Sequence, residues 1–293
     1  MTDTPASLSQ FTTVPLKPRS GSRWLQMLGR HALTALAIFC VVYLLAPIVM
    51  MIVLSFNHVE GRFDYVWNSF SVDAWLNPFA IDGLASSLQI SIVMALVVAS
   101  VATAIGTGMA YAQVRYQFIG QRLLDIILLL TIATPEVIAG SALLKVYLDM
   151  KLPLGPVTIL LSHVMFDIAF VAIVVKSRLR GFDIVLEHAA MDLGARGPRV
   201  FRLITLPLIL PAVITAWLLA FMLSLDDFII SNFVSGATVT FPLFVWGTAR
   251  VAMPPQIYVV GTSTFVFLSV LLLGNFLFDQ RRARLRDRVR PDQ

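Results

Sequence analysis

The sequence is poor in charged residues and in cysteine. Asp, Glu, Lys and Arg make up 13% of its 293 residues, against about 25% in soluble domains. Hydrophobic types reach 58%, and the mean hydropathy is +0.82. A soluble domain of this composition lacks the polar groups to cover its surface, and disorder and a coiled coil are excluded as well. The single cysteine, Cys40, lies in an apolar run, which excludes an internal disulfide and a cysteine-based metal site. The composition indicates a polytopic membrane protein.

Six long apolar runs follow one another along the chain and predict six transmembrane helices. Each has roughly 19–23 residues, which is enough to cross about 30 Å of hydrocarbon. Helices are expected because a lone span satisfies its backbone hydrogen bonds internally. The alternating ten-residue segments of a β-barrel are absent from the sequence. The predicted spans are 32–54, 90–112, 123–144, 157–175, 203–225 and 257–278.

The basic residues predict the orientation of these spans. With the N-terminus inside, all but four of the 22 Lys and Arg residues fall on the cytoplasmic side, so both termini are expected there. Because the basic residues separate the apolar runs, the lipid bilayer is the expected partner and nucleic acid is not. The predicted organisation is a cytoplasmic tail over 1–31, a six-helix membrane domain over 32–280 and a basic cytoplasmic tail over 281–293.

The predicted inner connection 176–202 contains a short amphipathic helix. Residues 183–193, DIVLEHAAMDL, have helical periodicity, and four apolar residues share one face: Val185, Leu186, Ala189 and Leu193. Gly194 follows at the place of a helix C-cap, and Gly197-Pro198 interrupts the chain before the next span. Two interpretations are open on these features alone. The helix lies on the lipid headgroups, or it fits a groove on a soluble partner.

The stretch HAAMDLGARGPRVFRLITLP, 188–207, resembles the EAA loop of ABC-transporter permeases. In that pattern Glu-Ala-Ala is followed by three residues, a glycine, nine residues and Ile-x-Leu-Pro. Six residues fall in register: Ala189, Ala190, Gly194, Ile204, Leu206 and Pro207. His188 stands where the motif has glutamate, and the adjacent Glu187 is the other candidate for the polar contact to an ATPase. The resemblance implies that 183–207 is an ATPase-coupling loop.

Three further segments resemble the permeases of spermidine/putrescine importers. They are ATPEVIAG (133–140), SLDDFIISNFVSG (224–236) and FPLFVWGTAR (241–250) with Pro254-Pro255 after it. The resemblance implies an all-α membrane protein with the permease fold of type I ABC importers. It also implies ATP-driven uptake of polyamines by alternating access. The same architecture with ferric iron, a sugar or an inorganic anion as cargo is the nearest alternative, and a stand-alone secondary transporter or channel is a further one.

The family also implies a set of partners. These are a second permease subunit, giving a heterodimer, a dimeric cytoplasmic ATPase and an extracytoplasmic substrate-binding protein, at the inner membrane of a prokaryote. The sequence agrees, because it contains no phosphate-binding pattern G-x4-G-K-[ST]. The sequence also has no complete catalytic constellation, and no catalytic residue, metal site or bound cofactor is expected in this chain. ATP and Mg are expected in the partner ATPase.

Ionisable side chains within spans are costly and are candidates for a substrate pathway. Glu136 lies in the third span, Asp167 in the fourth, and Asp226 and Asp227 close the fifth. Carboxylates that face a cavity would attract a di- or trivalent amine. His163 shares a helical face with Asp167, but no third ligand has a recognisable spacing. Hydrogen bonding between helices is the favoured role for that pair.

Other residues in the spans predict local geometry. Pro135, directly before Glu136, predicts a kink. The stripe of Ala102, Gly106 and Ala110 predicts a close contact with another helix. Two tryptophans, Trp217 and Trp246, are candidates for cation–π contacts with the substrate. Packing or a place in an interfacial belt is the commoner role for such residues.

Overall fold

The computed structural model describes residues 23–59, 61, 66–181 and 183–289. Within these ranges the regular elements are α-helices and one π-helical turn, Phe201–Thr205. The described residues divide into two compact units, with the boundary between Val53 and Leu54. In chain order the helices are α1 Arg23–Leu54, α2 Asp73–Leu76, α3 Leu84–Arg115, α4 Gln121–Ala133, α5 Glu136–Asp149, α6 Pro156–Arg180, α7 Val185–Asp192, α8 Gly197–Val200, α9 Leu206–Asp226, α10 Ile229–Val234, α11 Phe241–Ala249 and α12 Pro255–Val289.

The all-α membrane class is confirmed. Four helices in the described part of the chain are long and apolar enough to cross a membrane: His31–Leu54, Leu84–Arg115, Pro156–Arg180 and Gly197–Asp226. The apolar part of α12 that is described, Pro255–Val270, is shorter than a span. The count of six spans and the cytoplasmic termini stay predictions. Both predicted tails are partly helical, because α1 begins at Arg23 and α12 continues to Val289; residues 1–22 and 290–293 lie outside the described ranges.

The third predicted span is not one straight helix. It is divided into α4 and α5, whose axes differ by 109°. Pro135 lacks the N–H that would continue the ladder, and it pushes the residue before it out of the helical region. Accordingly Thr134 is extended, with φ −73° and ψ 127°, and its hydroxyl donates to the Leu130 carbonyl at 2.6 Å. The break places Glu136 at the first position of α5, where a carboxylate is favoured by the helix dipole.

The core of the second unit lies among α3, α6 and α9. Small side chains on α3 allow the other two helices to approach closely, and larger side chains on α6 and α9 fill the space between them. The fully buried members of this core are Ala95, Ala99, Ala102, Ala110, Val171, Val175, Leu179, Ile209, Ala216 and Ala220. The predicted close contact at the small-residue stripe of α3 is confirmed: a Cβ on Gly106 would lie 2.7 Å from Cγ1 of Val171.

We expect Gly106→Leu to disrupt the packing of α3 against α6. The added side chain would overlap Val171, and overpacking a buried site typically costs about 1–3 kcal/mol. The matched control is Gly108→Leu on the same helix, because no atom lies within 4 Å of a Cβ built at Gly108. The midpoint of thermal unfolding in detergent should fall for Gly106→Leu and stay near the wild-type value for Gly108→Leu. Equal midpoints for the two variants would contradict the close contact.

Candidate functional site

A cavity of about 340 Å³ lies where α6, the end of α9 and the starts of α5 and α10 meet. Its polar lining is mainly acidic, with one carboxylate from α5, one from α6 and two from the junction between α9 and α10. Three phenylalanine rings complete much of the apolar wall. The lining residues are Glu136, His163, Phe166, Asp167, Phe170, Leu223, Ser224, Asp226, Asp227, Phe228, Ile229 and Ile230.

The structure therefore brings together all four acids that the sequence marked as pathway candidates. They are separated by up to 91 positions in the chain (Glu136 to Asp227), and only the packing of α6 against α9 and α5 against α10 makes them neighbours. The break at Pro135 contributes directly, because it turns the first residue of α5 toward this cavity. The three phenylalanines, Phe166, Phe170 and Phe228, were missed from the sequence. Phe166 and Phe170 are four residues apart, on one side of a helix and on either side of Asp167 in the sequence, and this spacing was the available signal.

Asp227 has a structural role at this site. Its Oδ2 accepts from the backbone N–H of Ser231 at 2.8 Å and lies 3.0 Å from Nε2 of His163. Its Oδ1 lies 3.4 Å from the Ile230 nitrogen, which donates to it. The carboxylate thus satisfies free N–H groups at the start of α10, as side chains commonly do at helix N-termini. Much of its hydrogen-bonding capacity is used inside the chain.

His163 is buried and holds three elements together. Its Nδ1 lies 2.9 Å from the Ser224 hydroxyl on α9, and its Nε2 lies 3.1 Å from the Ser231 hydroxyl on α10. The imidazole is also paired with Asp227 as described above. The partner of His163 is therefore Asp227 and not Asp167, although Asp167 is on the same face of α6. In the described part of the chain, no group of three or more His, Cys, Asp or Glu residues is placed to hold a metal ion.

Asp167 differs from Asp227 in its hydrogen bonding. Its side chain is 3% exposed, and its buried Oδ2 has no hydrogen-bond partner within the described residues. A buried polar atom without a partner is costly and uncommon in folded proteins. An ammonium group in the cavity would provide the missing hydrogen bond and an opposite charge. Asp167 is therefore the carboxylate best suited to contact a bound cation.

Asp226 and Glu136 are exposed at the opening of the cavity. Asp226 also borders a second, apolar cavity of about 490 Å³, which is lined by residues of α9, α11 and α12. Phe228 lies on the wall between the two cavities and packs against Trp246 at a ring distance of 5.1 Å.

The two tryptophans have different positions. Trp246 lines the second cavity, and the guanidinium of Arg250 lies 4.7 Å from its ring centroid. This ring therefore already carries a cation–π contact. Trp217 lines neither cavity: it stacks on Phe221 at 5.6 Å and its Nε1 donates to the Ser100 hydroxyl at 3.2 Å. Trp217 has the geometry of a packing residue between α9 and α3.

The short amphipathic helix predicted over 183–193 is present as α7, Val185–Asp192, and ends before Gly194 as the sequence predicted. Gly194 has φ +86°, in the left-handed region where glycine is favoured. The Gly194 N–H donates to Met191 at 2.9 Å, and the Ala195 N–H donates to Ala190 at 3.0 Å. These are the two hydrogen bonds of a Schellman motif. A short helix, α8, restarts at Gly197.

One face of α7 is apolar and exposed. The exposed side chains include Val185, Leu186 and Ala189, and Leu193 just after the helix is 90% exposed. His188 is exposed as well, and Ala190 is half-buried. An exposed apolar helix face bordered by a polar side chain is typical of a protein interaction surface.

Glu187 lies on the opposite side of α7 and makes its polar contacts within the chain. Its carboxylate is paired with Arg115, and the Thr205 hydroxyl donates to Oε1 at 2.8 Å. The hypothesis that Glu187 replaces the motif's glutamate in a contact with a partner therefore does not fit the geometry. His188 is the exposed polar residue of the two.

The last residues of the motif lie where α9 begins. Pro207 cannot donate to the helical ladder, and immediately before it the chain forms the π-helical turn Phe201–Thr205, in which the Leu206 N–H reaches back to the Phe201 carbonyl. Leu206 packs against the core of α3, α6 and α9, and Ile204 is half-buried beside it. Ile204, Leu206 and Pro207 thus join the predicted coupling loop to α9, which forms most of the fifth predicted span.

The family of the chain follows from its similarity to known proteins. Residues 102–291 match the family model described as binding-protein-dependent transport system inner membrane component. The chain is 34% identical over 243 residues to the spermidine/putrescine transport system permease protein PotC of Escherichia coli K12, covering 83% of this chain and 91% of that protein. It is 37% identical over 228 residues to the putrescine transport system permease protein PotI of the same strain, covering 75% and 80%. The resemblance to polyamine permeases found in the sequence is confirmed.

Solved structures share the fold at low sequence identity. A chain of a bacterial ABC transporter that imports the acidic polysaccharide alginate superposes with a TM-score of 0.62 at 18% identity, covering 88% of this chain and 98% of that one. A chain of the MetNI methionine ABC transporter gives 0.54 at 16% identity, covering 69% and 95%. The family match, the close relatives and the shared permease fold lead to one conclusion: this chain belongs to the inner membrane components of binding-protein-dependent transport systems.

Proposed function

We propose that this chain is the permease subunit of an ABC importer that moves polyamines, spermidine or putrescine, into the cytoplasm. The observation that carries the proposal is the acidic cavity, in which the buried Oδ2 of Asp167 has no hydrogen-bond partner among the described residues and Glu136 and Asp226 are exposed. A polyamine is a flexible chain with two or more ammonium groups joined by methylene segments. Carboxylates suit the ammonium groups, and the faces of Phe166, Phe170 and Phe228 suit both the charges and the methylenes.

The relatives support a polyamine as the cargo, and the acidic cavity supports a positively charged cargo. Both relatives described above are named for polyamines, and they cover most of this chain. An inorganic anion would meet four carboxylates in this cavity and be repelled. A sugar has no charge to compensate the buried carboxylate of Asp167. A di- or trivalent amine is the solute class that this lining fits best.

The proposed assembly contains this chain, a second permease that forms a heterodimer with it, a dimeric ATPase and an extracytoplasmic binding protein, in the inner membrane of a prokaryote. The ATPase would bind ATP and Mg and dock on the exposed face of α7. Its closure would move α7 and shift the helices around the cavity, so that the cavity opens alternately to the two sides. In this arrangement the chain performs no chemical reaction itself.

Uptake by the complete complex in proteoliposomes tests the proposal. The complex should take up radiolabelled spermidine or putrescine only when ATP and the binding protein are both present. Unlabelled polyamines should compete, whereas a sugar, sulfate or ferric citrate should not. Uptake of one of those solutes without polyamine uptake would show that the cargo is wrong. Polyamine uptake that persists without the ATPase would indicate a stand-alone transporter.

A further inference from the structure

A buried ion pair joins the end of α3 to α7. Arg115 is the last residue of α3, and its Nε and Nη2 lie 2.9 Å and 3.0 Å from the two carboxylate oxygens of Glu187. The side chains are 9% and 4% exposed. Two parallel contacts between a guanidinium and a carboxylate fix the relative orientation of the groups as well as their distance.

The same carboxylate holds a third element. The Thr205 hydroxyl donates to Oε1 of Glu187 at 2.8 Å. Thr205 is fully buried and is the last residue of the π-helical turn before α9. Glu187 therefore connects α7 to α3 and to the start of α9, across 72 and 18 positions of sequence. We call Arg115, Glu187 and Thr205 the α7 clamp.

The clamp is a buried polar attachment of α7 to α3 and to the turn before α9. Glu187 is the one buried residue of α7; Ala190 is half-buried, and the other apolar side chains of that helix are exposed. The segments on both sides of α7 contain glycines, Gly181 before it and Gly194 and Gly197 after it. A helix of eight residues that buries so little apolar surface has few packing contacts with its own chain. When a partner moves such a helix, the movement reaches the rest of the chain only if a strong polar contact connects them.

The far end of α9 reaches the acidic cavity. This helix runs from Leu206, next to Thr205, to Asp226, which borders the cavity. With 21 residues it is about 30 Å long. A shift of α7 that is passed to Thr205 can therefore be carried along a packed helix to the cavity, and a shift passed to Arg115 reaches α3 in the same core.

We propose that Glu187 is a positioning residue, which, held by Arg115 and Thr205, transmits the movement of α7 to α3 and α9. This inference rests on the proposed ATP-driven import, but it does not depend on which solute is carried. It predicts a particular defect: the ATPase still binds α7, yet its hydrolysis is no longer linked to the binding protein on the other side of the membrane.

The test uses the complete complex with Glu187→Gln, which keeps the size of the side chain and removes its charge. We measure ATPase co-purification, and ATP hydrolysis with and without the solute-loaded binding protein. Co-purification should stay within about twofold of wild type, while stimulation by the binding protein should fall about tenfold, within the usual range of coupling between sites. Arg115→Lys, which keeps the charge without the two-pronged contact, should give a smaller loss.

Two further variants make the result specific. The exchange Arg115→Glu with Glu187→Arg restores an ion pair and should recover part of the stimulation that either single change removes. The matched control is Asp125→Asn, which breaks the ion pair between Asp125 and Lys176 that links α4 to α6 without touching α7. It should leave stimulation near the wild-type level.

Either of two outcomes would overturn the inference. One is wild-type stimulation in Glu187→Gln. The other is loss of the assembled complex in both Glu187→Gln and Arg115→Lys, because the clamp would then serve assembly only. A wrong cargo would appear differently: wild-type complex would hydrolyse ATP in response to its binding protein while taking up no polyamine.

Discussion

Asp167→Asn is expected to lower polyamine uptake by about ten- to a hundredfold at a limiting concentration of substrate. The change keeps the shape of a side chain that is 3% exposed and removes the charge whose buried oxygen has no partner in the described structure. A hydrogen bond to a charged group contributes about 1.5–3 kcal/mol, and 1.4 kcal/mol is about a factor of ten. Asp226→Asn at the cavity opening should also lower polyamine uptake, but by less, because that side chain is exposed.

Asn variants of two other acidic residues distinguish a loss of cation recognition from a loss of folding or assembly. Asp227→Asn should lower the yield of assembled complex, because Asp227 accepts from α10 and pairs with His163. Asp149→Asn removes an exposed carboxylate that is paired with Lys145 outside the cavity, and it should change neither uptake nor yield. Labelled spermidine uptake in proteoliposomes is measured beside complex yield for each variant. Full uptake by both Asp167→Asn and Asp226→Asn would remove these residues from the pathway.

Composition and hydropathy predicted the membrane class and the position of most long helices, because the cost of burying backbone and charge in lipid leaves a strong trace in sequence. The broken third span shows where such reasoning ends, because Pro135 predicted a kink but not its size. Residues 123–144 are apolar on both sides of Pro135, so a hydropathy window averages over the break. The 109° bend depends on the φ and ψ angles at Thr134 and Pro135, and composition carries no information on them.

The acidic residues of the site could be found one at a time, but their roles could not. Asp226 and Asp227 are adjacent and chemically identical in the sequence. The structure separates them, because α10 begins just after Asp227 and brings the N–H of Ser231 to its carboxylate. The partner of His163 also depended on the way α6 packs against α9 and α10. A contact with Asp167, four residues away, was the only one that helical periodicity suggested.

In the predicted coupling loop, too, some features follow from the sequence and others do not. Its helix, its C-terminal glycine and its exposed apolar face follow from local periodicity and capping rules, and the structure has all three. The direction of Glu187 does not follow from them. In the sequence it is one of two neighbouring polar residues beside an Ala-Ala pair. Only the position of Arg115, at the end of a helix 72 residues earlier, shows that Glu187 faces inward.

Gly194→Val is expected to reduce the recovery of ATPase with the permease by about tenfold or more. The φ of +86° at this position suits glycine, and an ordinary side chain in the left-handed region costs about 1–2 kcal/mol. A β-branched residue is disfavoured further. Relief of this strain would break the two hydrogen bonds that end α7, from Gly194 to Met191 and from Ala195 to Ala190. The final turn of α7 would then unwind, and Leu193 would leave its place beside the exposed apolar face.

Two variants identify backbone conformation as the cause. Gly194→Asn should retain more ATPase than Gly194→Val, because asparagine tolerates the left-handed region better than other residues with a Cβ. Gly197→Val, three residues later, should bind the ATPase as wild type does: no atom lies within 4 Å of a Cβ at Gly197, and its φ is not positive. Pull-down with tagged ATPase from detergent extracts gives the ranking. Equal recovery for Gly194→Val and Gly197→Val would show that the end of α7 has no part in holding the ATPase.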